Sequence, residues 1–237
     1  MTSDLQSQNL ILAAIPPAEF ESLEALLEPH PLRMRETLQE AGEAAEFVYF
    51  PTSGIISVLT VLENGMMIEF ATVGREGTTG VQVLLGLNES SLAHVSQVPG
   101  ASVRMKTADF IKAADRSPAF ASVLRRYSGV MLALVAQSAA CNRAHHTDER
   151  CARWLLMTHD QAGGDVFPIT QEFLAQMLGV SRPSVALSAA ALHNAGLINY
   201  HRGTMTIVDR DGLEKAACEC YAVIEAQFDR LRDLRQY

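Results

Sequence analysis

Three groups of residues in this chain have types and spacings that could do chemistry. The first is Pro168–Val208, where Arg182 and Arg202 face only Glu172, with His193 and His201 close by. That segment is locally neutral to basic in a chain whose formal net charge is −8, which permits a polyanionic partner without demanding one. The second is the glycine-rich loop Val73-Gly-Arg-Glu-Gly-Thr-Thr-Gly-Val-Gln-Val83, where Arg75 or the amides of Gly77 to Gly80 can cradle an anion. The third is the set of thiols and imidazoles late in the chain. Cys141, Cys151, Cys218 and Cys220 lack metal spacing such as CxxC and read as reduced thiols. His145-His146 with Asp148 resembles a ligand run, but adjacent side chains point to different sides, so a solvated helix junction is expected. His30 and His94 are isolated and read as structural.

The elements that position these groups follow from texture. The 237 residues are 48% hydrophobic, enough for one large domain or two modest ones. The acidic start Met1-Thr2-Ser3-Asp4 argues against a signal peptide, and no apolar run suggests a membrane span. A cytoplasmic location is expected. Residues 7–28 read as one or two short helices broken by Pro16-Pro17. From about Leu32 to Met105, β-rich runs recur at 47–50, 55–62, 66–73, 93–98 and 102–105, and Asn64-Gly65 marks a hairpin. Short strands at this spacing indicate a β-sandwich or small barrel. Helices follow at 108–115 and from Ala119 to about Ala144. In the second, Phe120, Leu124, Tyr127, Met131, Leu134, Ser138 and Cys141 form a heptad-like seam. That seam can join two copies or pack on its own β domain; in the first case Cys141 is placed as a thiol switch, in the second as an inert core thiol. Another helix is expected from a Thr147 N-cap to about Thr158, and a last one from Asp211 with Leu213, Ala217, Cys220, Ile224, Phe228, Leu231 and Leu234 on one face.

Pro168–Val208 is the most specific stretch. Thr170 is placed to cap a helix whose buried stripe is Phe173, Leu174, Met177 and Leu178. Gly179 supplies a tight turn, and Ser181 caps a second helix that tolerates Pro183 in its first turn. Val185, Ala189 and Leu192 share a face of that helix, and 197–200 and 205–208 form a hairpin around His201-Arg202-Gly203-Thr204. Helix, glycine turn, helix and hairpin is the order of a winged helix-turn-helix, which favours DNA binding over a helical hairpin in an enzyme core.

Ile169-Thr-Gln-Glu-Phe-Leu-Ala-Gln-Met-Leu-Gly-Val-Ser-Arg-Pro-Ser-Val185, with Leu192-His-Asn-Ala-Gly-Leu-Ile198, resembles the DNA-binding segment of the Crp/Fnr transcription regulators. The resemblance implies an α+β chain: an N-terminal antiparallel β jelly-roll sensor domain over 1–118, a dimerisation helix over 119–145, and a C-terminal winged helix-turn-helix with an added helix over 146–237. It implies no catalytic residue, a homodimer on double-stranded DNA with a near-palindromic operator, and contact with RNA polymerase. Arg182 is similar to the family's guanine-reading arginine, since its fork suits the O6/N7 edge. Pro183 and Leu187 replace an acid and a second arginine. Leu187 can touch a thymine methyl or serve packing. Thr170, Ser181, Ser184 and Ser188 are candidate hydroxyl contacts, though Ser188 also stands where the family usually has an aliphatic core residue, and Arg202 reaches a phosphate or is merely solvated.

The sensor loop departs from cyclic-nucleotide-binding members. Gly80 matches their glycine, but Val81 replaces the ribose-binding glutamate, and Ser91-Leu92-Ala93 replaces Arg-Ser-Ala. Ordinary cyclic-AMP binding is not expected, and Arg75, Gly77, Thr78, Thr79, Gly80, Val81 and Ser91 remain the effector-pocket candidates. No metal, haem or iron–sulfur centre is expected, residues 1–140 having no cysteine. The rival reading, a small-molecule-sensing or cupin-like jelly-roll protein without DNA binding, lacks convergent strand histidines: only His94 lies on the later strands.

Overall fold

The structure, a computed structural model, describes residues 4–232. Met1–Ser3, part of the acidic start, and Leu234 of the last helical face lie outside the described residues. Helices α1 (Asp4–Gln8), α2 (Leu10–Ala13) and α3 (Pro17–Glu24) lead into strands β1 (Glu28–Leu32), β2 (Thr37–Gln39), β3 (Phe47–Pro51), β4 (Ile55–Val61) and β5 (Met67–Val73). A one-turn helix α4 (Val81–Leu84) precedes β6 (Leu92–Val98) and β7 (Gly100–Lys106).

These strands form two antiparallel sheets, ordered β1-β7-β3 and β2-β6-β4-β5. Ile55–Leu59 of β4 is buried throughout, as expected of a strand flanked on both sides and covered on both faces. Val48, Phe50, Ile56, Val58, Val103 and Met105 fill the space between the sheets. Phe50 reaches Phe110 and Phe120, whose rings meet edge to face at 5.6 Å, so the first turns of the next helices complete this core. β1 was not expected from composition because it reads Glu-Pro-His-Pro-Leu. It is tolerated because it is an edge strand pairing with β7 alone, where a proline forfeits no interior ladder bond. In the β4–β5 hairpin only Gly65 takes a positive φ, 79°; Asn64 instead accepts a hydrogen bond from the Met66 amide through its side chain.

Helices α5 (Thr107–Arg116) and α6 (Pro118–Ala144) meet at Ser117, which caps α6 by accepting from Phe120 N at 3.0 Å. The predicted seam of α6 is covered by the chain itself: Phe120, Leu124, Tyr127, Met131, Leu134, Ser138 and Cys141 are all buried. Of the two readings of this seam, packing on its own domain is the one seen. A different stripe stays exposed on α6, Arg125, Gly129, Leu132, Ala136, Ala139 and Arg143, again stepping by three and four. α6 is also long and apolar enough to cross a bilayer by length and composition, contrary to the expectation of no such run. Burial of one side against the sheets makes it the core helix of this domain.

Beyond it lie α7 (Thr147–Ala162), β8 (Val166–Pro168), α8 (Gln171–Leu178), α9 (Arg182–Asn194), β9 (Ile198–His201), β10 (Thr204–Ile207), α10 (Arg210–Ala216) and α11 (Cys220–Arg232). The N-cap of α7 is His146, not Thr147, and Glu149 reaches back to the His146 amide at 2.9 Å in a capping box. The expected single last helix is two, broken where Ala217 turns extended. The break lets α11 fold back along α6, burying Ile224, Phe228 and Leu231 in the core of the β domain. α7 joins the two halves of the molecule: Trp154 donates to Glu69 of β5 at 2.6 Å.

Candidate nucleic-acid interface

The helix-turn-helix is built as its residue types demand. Thr170 caps α8 by accepting from Phe173 N at 3.2 Å, and Phe173, Leu174, Ala175, Met177 and Leu178 are buried. Gly179 ends α8 with φ 62°, the left-handed conformation that a side chain resists, and turns the chain into α9. Ser181 then caps α9 through Ser184 N at 3.3 Å, and Pro183 sits in the first turn, where no intrahelical donor is lost. A contact not anticipated from sequence locks this corner: Arg150 of α7 donates to the carbonyl of Leu178, the last residue of α8. One orphan carbonyl at that helix end thereby gains a cationic donor. Only the arginine itself, in a run of helix-forming residues, hinted at it.

Val185, Ala189 and Leu192 turn inward from α9, while Ser181, Arg182, Pro183 and Leu187 face out; Leu187 is 74% exposed. The exposed Leu187 is therefore a surface residue rather than part of the packing. Ser184 is half-buried and shares a hydrogen bond with Ser181 at 2.8 Å. Ser188 departs from expectation. It is 1% exposed and donates to Asp148 at the start of α7, so it cannot reach a ligand on the outer face. It occupies an inward helical position, and a hydroxyl there must find a partner. Thr170 is also engaged, accepting from Arg35 of the N-terminal β domain at 2.8 Å in addition to its capping role.

The wing is a three-stranded sheet ordered β8-β10-β9. Its tip, Arg202-Gly203, has φ of 45° and 81°, a turn that presents the exposed Arg202 away from the core. Tyr200 of β9 accepts from the Gln171 amide at 3.2 Å, fixing the wing against the first turn of α8. Arg182 and Arg202 thus stand exposed on a rigid unit, one at the N-terminus of α9, whose free amides favour an anion, and one on the hairpin.

The glycine-rich loop 73–83 behaves differently. Thr78 donates to the Tyr49 carbonyl at 2.9 Å, and Thr79 accepts from the Tyr49 amide at 3.0 Å, so both hydroxyls anchor the loop to β3. Gly77 and Gly80 are small because neighbours crowd them: an added Cβ would lie 2.1 Å from Tyr127 Oη in one case and 2.6 Å from Phe110 in the other. These glycines serve packing, which corrects the anion-cradle expectation. Arg75 points elsewhere, into a cleft with Glu76, Asp160 and Glu225, and Ser91 is exposed.

Of the pocket candidates, Thr78, Thr79 and Val81 do share a cavity of about 400 Å³ between the β4–β6 sheet and α6. Its other walls include Phe70, Leu85, Leu92, His94 and Leu132, and among the described residues no charged side chain lines it. His94 is buried without a charged partner, and desolvation pushes its pKa down to about 4, so it is neutral there. Glu69, outside this cavity, is also fully buried; burial lifts its pKa to about 7, against the opposing pull of the Trp154 hydrogen bond and the charge of Arg153.

Residues 149–216 match the Crp-like helix-turn-helix domain family. No curated protein sequence matches the chain. Among solved structures, FixK2 from Bradyrhizobium japonicum is similar at 18% identity and a TM-score of 0.69, over 81% of this chain and 98% of that one. The c-di-GMP responsive global regulator CLP from Xanthomonas campestris aligns at 14% identity and 0.63, over 81% and 99%. TTHB099, a CRP-family transcriptional regulator from Thermus thermophilus, aligns at 22% and 0.60, over 79% and 96%. The jelly-roll domain, long helix and winged helix-turn-helix are therefore a shared fold.

Proposed function

We propose that this chain, a DNA-binding transcription regulator of the Crp/Fnr type, acts in the cytoplasm as a homodimer that reads a near-palindromic operator. One α9 per subunit enters the major groove, with half-sites about one helical turn apart. The observation that carries this reading is the outward placement of Arg182 at the N-terminus of a capped, rigidly held α9. Arg182 forks onto guanine, Leu187 meets a thymine methyl, and Ser181 and Arg202 hold phosphates. Ser184 contributes through its hydroxyl pair with Ser181.

The two subunits meet through the exposed stripe of α6, not through its buried seam. Gly129, Leu132, Ala136 and Ala139 leave room for a second helix to approach closely, and Arg125 and Arg143 flank them. The cavity beside Leu132 would then border the partner subunit, so an occupant could bias how the α6 pair packs. Its lining favours an apolar small molecule. A cyclic-nucleotide phosphate would enter a space without a counter-ion, which argues against ordinary cyclic AMP. RNA polymerase is the further partner that the family resemblance implies.

The test compares wild type and Arg182→Ala on fragments of host genomic DNA at fixed salt. Wild type should enrich a limited set of fragments, and the variant should lose that preference while keeping weak, salt-sensitive binding. Identical preferences in the two proteins would refute the assignment of Arg182.

A further inference from the structure

A buried polar cluster lies apart from both hydrophobic cores, where α11 folds back against the end of α6. Cys141 on the last turns of α6, His145 at its C-cap, and Cys218 and Cys220 around the start of α11 bring their ligand atoms within 4.8 Å of one another. Cys141 Sγ is 3.5 Å from Cys218 Sγ, and Cys220 Sγ is 3.6 Å from His145 Nδ1. Spacing alone concealed the group, because its two halves are 77 residues apart. His145 is not the solvated junction residue expected: its side chain is only 17% exposed.

We propose that Cys141, His145, Cys218 and Cys220 form a tetrahedral site for a thiophilic divalent cation, zinc by its ligand chemistry, which fastens α11 to α6. Three sulfurs and one imidazole are a complete structural zinc set. Bond lengths of about 2.3 Å to sulfur and 2.0–2.1 Å to nitrogen require only a modest contraction from the present spacing. The imidazole is already oriented for the role. Glu219 Oε2 lies 3.1 Å from Nε2, so the proton belongs on Nε2 and the Nδ1 lone pair faces Cys220. Gln137 donates to Cys220 Sγ at 3.0 Å, the contact a thiolate would accept. Three thiolates and one divalent ion leave one net negative charge, and the cationic Arg150 and Arg153 of α7 both interact electrostatically with Cys141. Arg150 also holds the Leu178 carbonyl, so one arginine links the proposed site electrostatically to the helix-turn-helix corner. Binding converts three thiols to thiolates and releases three protons as the metal enters; no electron is transferred.

The experiment uses the full chain purified from zinc-supplied cells, with bound metal counted by mass spectrometry and cobalt titrated into metal-free protein. About one zinc per chain and the ligand-field bands of four-coordinate, thiolate-bound cobalt are expected. The double variant Cys218→Ser/Cys220→Ser should lose both signals. Glu219 is exposed, so Glu219→Gln keeps the fold and should weaken cobalt affinity by about 10–100-fold. Less than about a tenth of an equivalent of metal in wild type, or a full equivalent retained by the double variant, would overturn the proposal. So would a Cys141–Cys218 disulfide accompanied by no metal, which would make the pair a redox element instead.

Discussion

The loop Gly74–Gly80 and the corner Gly179–Arg182 both combine glycines, short hydroxyls and an arginine, yet the molecule uses them in opposite ways. At the corner, the glycine turns the chain, Ser181 satisfies the helix end, and Arg182 is left on the surface. In the sensor loop, Thr78 and Thr79 are spent on Tyr49, and Gly77 and Gly80 make room for Tyr127 and Phe110. Arg75 leaves for another cleft. A residue motif marks a binding site only when the backbone can be satisfied without its polar side chains. The corner meets that condition for Arg182; the loop does not for Thr78 and Thr79.

The contrast can be broken at several points. The largest effect is expected from Gly77→Ala, whose new Cβ would meet the buried Tyr127 hydroxyl. It should cost about 3 kcal/mol in denaturant unfolding, at the upper end of overpacking effects. A neutral substitution would return that loop to the ligand-binding candidates.

Glu69→Gln comes next. The pKa of Glu69 is raised in the folded state to about 7, so its contribution is fully present below the unfolded value of 4.5 and is lost as pH rises through about 7. The variant should therefore gain stability relative to wild type at pH 8, by at most about 3 kcal/mol, and show little difference at pH 4. Differential scanning calorimetry at the two pH values checks this. An equal difference at both would mean that Glu69 titrates alike in the folded and unfolded chains, with no shift on burial.

Arg182→Ala should lower discrimination at one base pair of each half-site by about 1–3 kcal/mol, read from competition binding. Arg202→Ala should weaken all sequences alike, and reduce the salt slope by about one. Exchange of these two signatures would reverse the roles given to helix and wing. Leu132→Glu, on the exposed stripe of α6, should leave the fold intact and shift sedimentation toward the monomer. An unchanged dimer would place the interface elsewhere.

The winged helix-turn-helix was legible because its determinants are local: Thr170, Gly179, Ser181 and Val185 lie within sixteen residues and each imposes its own backbone demand. The strands from β3 to β7 were legible for the same reason, since the alternation of β-rich runs and turns is local. What escaped was set by long-range packing. Period alone gives α6 two seams, and only folding back of α11 and the sheets decides which is covered. β1 escaped because its prolines argue against a strand until it is seen at an edge. Ser188 admits both a contact and a core reading, and only the rotation of α9 against α7, which places it on Asp148, decides between them. The thiol–imidazole group was invisible for a similar reason: its halves meet only in the folded chain.

The most direct measurement is selection from random DNA duplexes by the purified full chain, at stated salt and without added ligand. The account predicts enrichment of an inverted repeat, with guanine at one fixed position per half-site and half-site centres about one helical turn apart. Enrichment of an asymmetric single site, or the same motif selected by Arg182→Ala, would contradict it.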